Sequence, residues 1–130
     1  MYKYHAKEIN NLIGCQLVSI CDSHVTVRKG NNEYILEIID DYGGCCGYNE
    51  ITTNLLISET ELNRNPVITN AIIEQNEWDS DMEGKLTFFG ESKPLATIDT
   101  LSSSGSGYQY GAYVIIRCNL LGISDEISSW

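Results

Sequence analysis

The sequence predicts an α+β protein: mainly an antiparallel β-sheet or half-open barrel of about seven strands, preceded by an N-terminal helix. Three observations carry this. Short runs of apolar residues alternate with polar ones along most of the chain. Polar, glycine-containing turns separate many of these runs. Few stretches are long enough to serve as helical crossovers, so neighbouring strands are expected to run antiparallel.

Each element follows from local spacing. In residues 3–13, KYHAKEINNLI, Ile9, Leu12 and Ile13 fall at helical intervals, and Gly14 is a suitable stop. Residues 16–22 contain LVSIC, residues 24–28 are HVTVR and residues 33–39 are EYILEII; all three read as strands. Val25 and Val27 share a face, and KGNN at 29–32 reads as a hairpin loop. A short strand or turn is expected after Glu50, then a helical turn with Ser58 as N-cap and Glu61 three residues on. Residues 67–74, 85–89, 95–101 and 112–120 read as strands. The acidic stretch NEWDSDMEG is expected to be a loop, and the tail GISDEISSW to fray.

With 130 residues, the chain is read as one domain, 1–130. A domain of this size buries roughly two-thirds of its unfolded surface and needs no covalent staples. No apolar run approaches the ~18 residues of a membrane span. The first residues, MYKYHAKEINNLIG, lack the apolar core of a secretion signal. A cytoplasmic location is therefore expected. Five cysteines without such a signal argue against a disulfide framework. Cys15, Cys21 and Cys118 lie in apolar segments and read as small core residues.

The net charge is −10, and from Glu33 onward there are sixteen acids against four bases. Such a body repels nucleic-acid phosphates, so direct nucleic-acid binding is not expected. It suits a basic protein face, or serves solubility alone.

Two segments combine flexible backbone with aromatic side chains. Residues 42–49, YGGCCGYN, place three glycines between two tyrosines and an asparagine. Tyr48 can stack on a planar ring and Asn49 can hydrogen-bond its edge; the plainer reading is a bulged turn with Cys45 and Cys46 packed inside as structural residues. Residues 102–113, SSSGSGYQYGAY, carry four serines, three glycines and three tyrosines. Ser104, Ser106, Tyr108 and Tyr110 are the candidate contacts there, against the alternative of an exposed hairpin loop. Arg117, in the last strong strand, faces either solvent or a pocket where it pairs a phosphate. The strip EQNEWDSDME is either a docking strip anchored by Trp78 or a solvated loop.

Catalysis and metal binding are not expected. Adjacent cysteines on a strand point apart, whereas zinc pairs stand two to four residues apart. The two histidines, His5 and His24, lie in separate elements, and Asp40 and Asp41 should face opposite sides of a strand. No phosphate-loop motif is present. The chain is read as a non-enzyme without cofactor or metal.

The order of landmarks is Leu12-Ile13-Gly14, a hairpin with GNNEYILEI, Gly44-Cys45-Cys46-Gly47-Tyr48-Asn49-Glu50-Ile51, Leu55–Ile57, and Ser106-Gly107-Tyr108 before the final strand. This resembles a family of small phage- and prophage-encoded proteins of unassigned function. They share a Leu-Ile-Gly start, a double-cysteine motif and a Ser/Gly/Tyr loop. Gly44 and Asn49 depart from the family's acidic residues, and the Ser/Gly loop is longer here. The resemblance implies a viral or mobile-element origin and no reaction. The expectation is a sponge that sequesters a nucleotide-type immune signal in the host cytoplasm, in a pocket of the two loops between protomers of a homo-oligomer. The alternatives are an acidic inhibitor of a host or defence protein, imitating nucleic acid, and a structural or assembly protein.

Overall fold

Alternation in the first third of the chain builds a three-stranded meander. The computed structural model describes residues 2–5, 8–42, 47–78, 81–103 and 111–130. Strand β1 (Tyr2–His5) and a 3-10 helix (Glu8–Leu12) precede β2 (Gln16–Ile20), β3 (His24–Lys29) and β4 (Asn32–Tyr42). Val25 and Val27 point inward, as their spacing predicts. Gly30, at φ 64°, opens the two-residue connection between β3 and β4, a position where a side chain would be strained.

Next come β5 (Tyr48–Leu55) and one turn of helix, α1 (Glu59–Leu62). The Ser58 hydroxyl accepts the Glu61 amide at 3.2 Å, which is the predicted cap. Residues 66–69 then run along β2: Leu17 N–H donates to Pro66 O, and Ile68 N–H to Cys15 O. The chain crosses there to β6 (Asn70–Glu77), β7 (Asp81–Phe89) and β8 (Pro94–Ser103), and ends with β9 (Ala112–Cys118) and β10 (Ile123–Ser129).

Among the described residues, ten strands form two antiparallel sheets, in the orders β1-β6-β7-β8-β5 and β10-β9-β4-β3-β2. They share one apolar core. Phe88, Ile73, Leu86 and Ile98 from the first sheet meet Leu17, Val27, Leu36 and Ile116 from the second, all at 0% exposure. The 3-10 helix adds Ile9 and Leu12 to the same core. Two packed sheets bury two inner faces without closing a barrel.

Several expectations are corrected. The half-open barrel of about seven strands is a two-sheet arrangement with ten. The N-terminal helix is a strand plus a short 3-10 helix: residues 2–5 pair with β6 from Tyr2↔Asn76 to His5↔Ile73. Ile9 and Leu12, three apart, satisfy a single 3-10 turn as well as they satisfy an α-helix. The acidic stretch NEWDSDMEG is mostly strand: residues 76–77 end β6 and residues 81–84 begin β7, where Met82 and Gly84 are buried and Glu83 is exposed. The tail does not fray. β10 pairs with β9 from Ile123↔Cys118 to Ser129↔Tyr113, and buries Ile123 and Ile127. Asp125 is buried with them; its Oδ2 accepts the Ile9 N–H at 2.6 Å, tying the C-terminal strand to the 3-10 helix. Cys15 and Cys118 are core residues, but Cys21 is exposed, since β2 ends at Ile20.

Candidate functional site

Strand register decides which candidate residues meet. Tyr42 lies opposite Ala112, and Tyr48 lies opposite Ser103, so both glycine-rich connections leave the same end of the sandwich. Asp81 pairs with Ser103 on its other side, bringing the β6–β7 turn to this end. Ala112 and Trp130 exchange backbone hydrogen bonds of 3.0 and 2.7 Å, which adds the C-terminus. Gly111 permits that approach; a Cβ there would stand 2.7 Å from Trp130 O. Tyr42, Tyr48, Trp78, Tyr113 and Trp130 are all exposed large side chains at or beside these termini.

A polar seam holds this end together. Asn49 Oδ1 accepts from Ser102 Oγ at 2.6 Å. Its amide nitrogen lies 2.8 Å from Asp40 Oδ1, 2.8 Å from Asp41 O and 3.0 Å from Tyr113 O, so it ties β5 of one sheet to β4 and β9 of the other. Ser128 Oγ sits 2.7 Å from both Thr100 Oγ1 and Ser102 Oγ. One proton arrangement serves the whole row: Thr100 donates to Ser128, Ser128 to Ser102, and Ser102 to Asn49. Gln75 Nε2 donates to Ile127 O at 3.1 Å. β10 thereby lies across the inner face of the first sheet. Gly84 makes room for it, since a Cβ there would fall 2.0 Å from Ile127 O.

On the outside, the Tyr113 hydroxyl donates a hydrogen bond to Asp41 Oδ2. That bond and the nearby carboxylate charge raise the tyrosine's pKa above its ordinary value. Asp40 and Asp41 do face opposite sides of β4, one toward Asn49 and the other toward Tyr113.

Below Tyr48, the outer face of the first sheet is concave. A groove of about 400 Å³ is lined by Glu50, Thr52, Glu74, Glu83, Lys85 and Asp99, with Leu101 at its edge. Lys85 stands between Glu74 and Asp99 in the cross-strand register. Four carboxylates against one ammonium give this face a negative field.

The candidates separate accordingly. Tyr48 is exposed at the loop end and available. Asn49 is at the same end, but its amide serves the seam. Arg117 is elsewhere: it lies five residues along β9 from Ala112, about 17 Å at strand rise. It faces solvent on the outer side of the second sheet, 3.8 Å from Glu37. Ser104, Ser106, Tyr108, Tyr110, Cys45 and Cys46 lie outside the described residues. Sequence reading missed Tyr113, whose place beside Asp41 depends on β4–β9 pairing. It also missed the pair Cys21 and His24, joined across the β2–β3 turn with Sγ 3.3 Å from Nδ1. A cysteine and a histidine three apart around a polar dipeptide was the available signal.

Among the described residues, no group of three or more His, Cys, Asp or Glu is arranged to hold a metal ion. No helix among them is long and apolar enough to cross a membrane. Comparison with protein families, curated proteins and solved structures finds no match to this chain.

Proposed function

We propose that this is a non-catalytic, phage-type binding protein that counters host defence by sequestering a small nucleotide-derived signal at the loop end. The supporting observation is the convergence of both Gly/Tyr connections on one end, stapled by Asn49 and ringed by exposed aromatic side chains. A stem braced by hydrogen bonds beside exposed aromatic side chains lowers the ordering cost of binding a planar ring. Stacking on one aromatic side chain is worth ~1–3 kcal/mol per base.

Charge shapes the rest of the reading. Acidic groups at this end, Asp40, Asp41 and Asp81 among them, repel a phosphate. The countercharge then comes from a neighbouring copy in a homo-oligomer, with Arg117, exposed on the second sheet, as the donor. The acidic groove favours a second reading, an inhibitor that offers Glu50, Glu74, Glu83 and Asp99 to a basic host or defence protein.

One preparation separates the two. The protein is purified from cells with an active nucleotide-signalling defence, denatured, and the released small molecules are analysed by mass spectrometry. The sponge reading expects a nucleotide at near one per site, reduced about tenfold in occupancy-limited titrations of Tyr48→Ala, since 1.4 kcal/mol is a factor of ten. A preparation that carries no nucleotide but retains a basic protein, released steeply as salt rises, would replace it with the inhibitor reading.

A further inference from the structure

The β2–β3 turn holds a cluster that neither reading uses. Cys21, Ser23 and His24 converge: Sγ is 3.3 Å from His24 Nδ1 and 3.5 Å from Ser23 Oγ, and Ser23 Oγ is 3.0 Å from the same Nδ1. The turn is pinned on both sides. Cys21 N–H donates to His24 O at 3.0 Å, and Ile38 N–H of β4 to Ser23 O at 2.9 Å. Thr53 Oγ1 of β5 donates to Asp22 Oδ1 at 2.7 Å. The thiol is therefore both exposed and held in one geometry. Cys15 and Cys118 are buried, and burial raises the Cys15 pKa.

We propose that Cys21 is a reactive thiol site that takes a low-molecular-weight disulfide by thiol–disulfide exchange, with His24 and Ser23 positioning and stabilising its thiolate. The Cys21 proton passes to His24 Nδ1 or to water. The thiolate attacks one sulfur of the disulfide, a Cys21–S–S–R bond forms, the original S–S bond breaks, and RS⁻ leaves with the electron pair. No net oxidant is needed beyond the disulfide itself. Before the attack, a protonated Nδ1 and the Ser23 hydroxyl are placed to donate to the thiolate.

Hydrogen bonds from Ser23 lower the Cys21 pKa below the ordinary thiol value, while the Asp22 charge opposes this. Around the turn, the charged groups are Asp22 within it, Glu37 opposite His24 on β4, and Arg117 beyond Glu37 on β9. The two carboxylates favour a cationic disulfide over an anionic one. The larger thiolate fraction that follows at neutral pH is partly offset by weaker nucleophilicity, so the gain in rate is smaller than the gain in thiolate.

The test uses the full chain, with cystamine as the cationic probe and glutathione disulfide as the anionic one. Adducts are counted by intact mass, and the modified cysteine is located by peptide mapping. The expected result is a first adduct on Cys21, formed faster than on N-acetylcysteine at pH 7. Its rate–pH midpoint lies below the ordinary thiol range, and cystamine outpaces glutathione disulfide at low salt. His24→Gln and Ser23→Ala should each slow the reaction and move the midpoint upward. Ser23→Ala carries the test alone if His24→Gln does not fold. First modification at Cys45 or Cys46, a rate equal to that of N-acetylcysteine, or a midpoint unmoved in the folded variants would overturn the proposal.

Discussion

The interior between the two sheets changes character along its length. In the body it is apolar, with Phe88, Ile73 and Leu86 packed on Leu17, Val27 and Leu36. Toward the loop end it becomes a row of hydrogen bonds through Gln75, Thr100, Ser128, Ser102 and Asn49. Apolar contact is non-directional and supplies most of the stability. Hydrogen bonds have directions and partners, so the seam holds the sheets in one register where the candidate loops emerge. The body makes the molecule stable; the seam makes its loop end rigid.

That division can be broken at either part. Phe88→Ala in the body should cost about 3–5 kcal/mol, by lost burial and the cavity left behind. The loss should be global, read as a lower denaturation midpoint with every probe moving together. Gly84→Ala tests the close approach of β10. A Cβ 2.0 Å from Ile127 O forces the strand off the first sheet, and a cost near 3 kcal/mol is expected, the upper end of the overpacking range. If the melting temperature of Gly84→Ala matches the parent, β10 does not lie where the seam requires.

Asn49→Ala should cost less, about 1–3 kcal/mol, because it strips partners from Ser102 Oγ and Tyr113 O without opening the core. Equal costs for Asn49→Ala and Phe88→Ala would erase the distinction drawn between seam and body. The smallest effect concerns pH. Tyr113 has a raised pKa in the folded state, because of its bond to Asp41. The stabilisation from that bond is therefore fully present below the ordinary tyrosine pKa and is lost as pH rises through the folded value. An ultraviolet pH titration should show one late-ionising tyrosine in the parent, and Asp41→Asn should return it toward the ordinary range.

Much of the body was legible from spacing. Val25 and Val27 alternate against polar residues, Gly30 sits where the hairpin needs a positive φ, and Ser58 stands three residues before Glu61. The seam was not. In β10 the inward positions include Asp125 and Ser128, which look like solvent-facing residues until Ile9 N–H and Thr100 are placed against them. The partners of Asn49 are likewise made across the chain. Its donors and acceptors suggest a ligand contact, and only the meeting of β4, β5 and β9 shows them already used. Arg117 follows the Ser/Gly/Tyr segment in sequence, yet strand β9 carries it to the solvent-facing side of the second sheet, beside Glu37. Local pattern reports a residue's neighbours along the chain, and the seam is made across it.

Amide hydrogen exchange on the Asn49→Ala protein tests the central claim most directly, that the seam holds the loop end in place while the core holds the fold. The account predicts lost protection at the stem amides of Tyr48, Ser103, Ala112 and Trp130. Protection at Leu17, Val27, Leu36 and Ile116 should stay near that of the parent once the global stability difference is subtracted. Uniform loss across both groups, or stems as protected as in the parent, would contradict it.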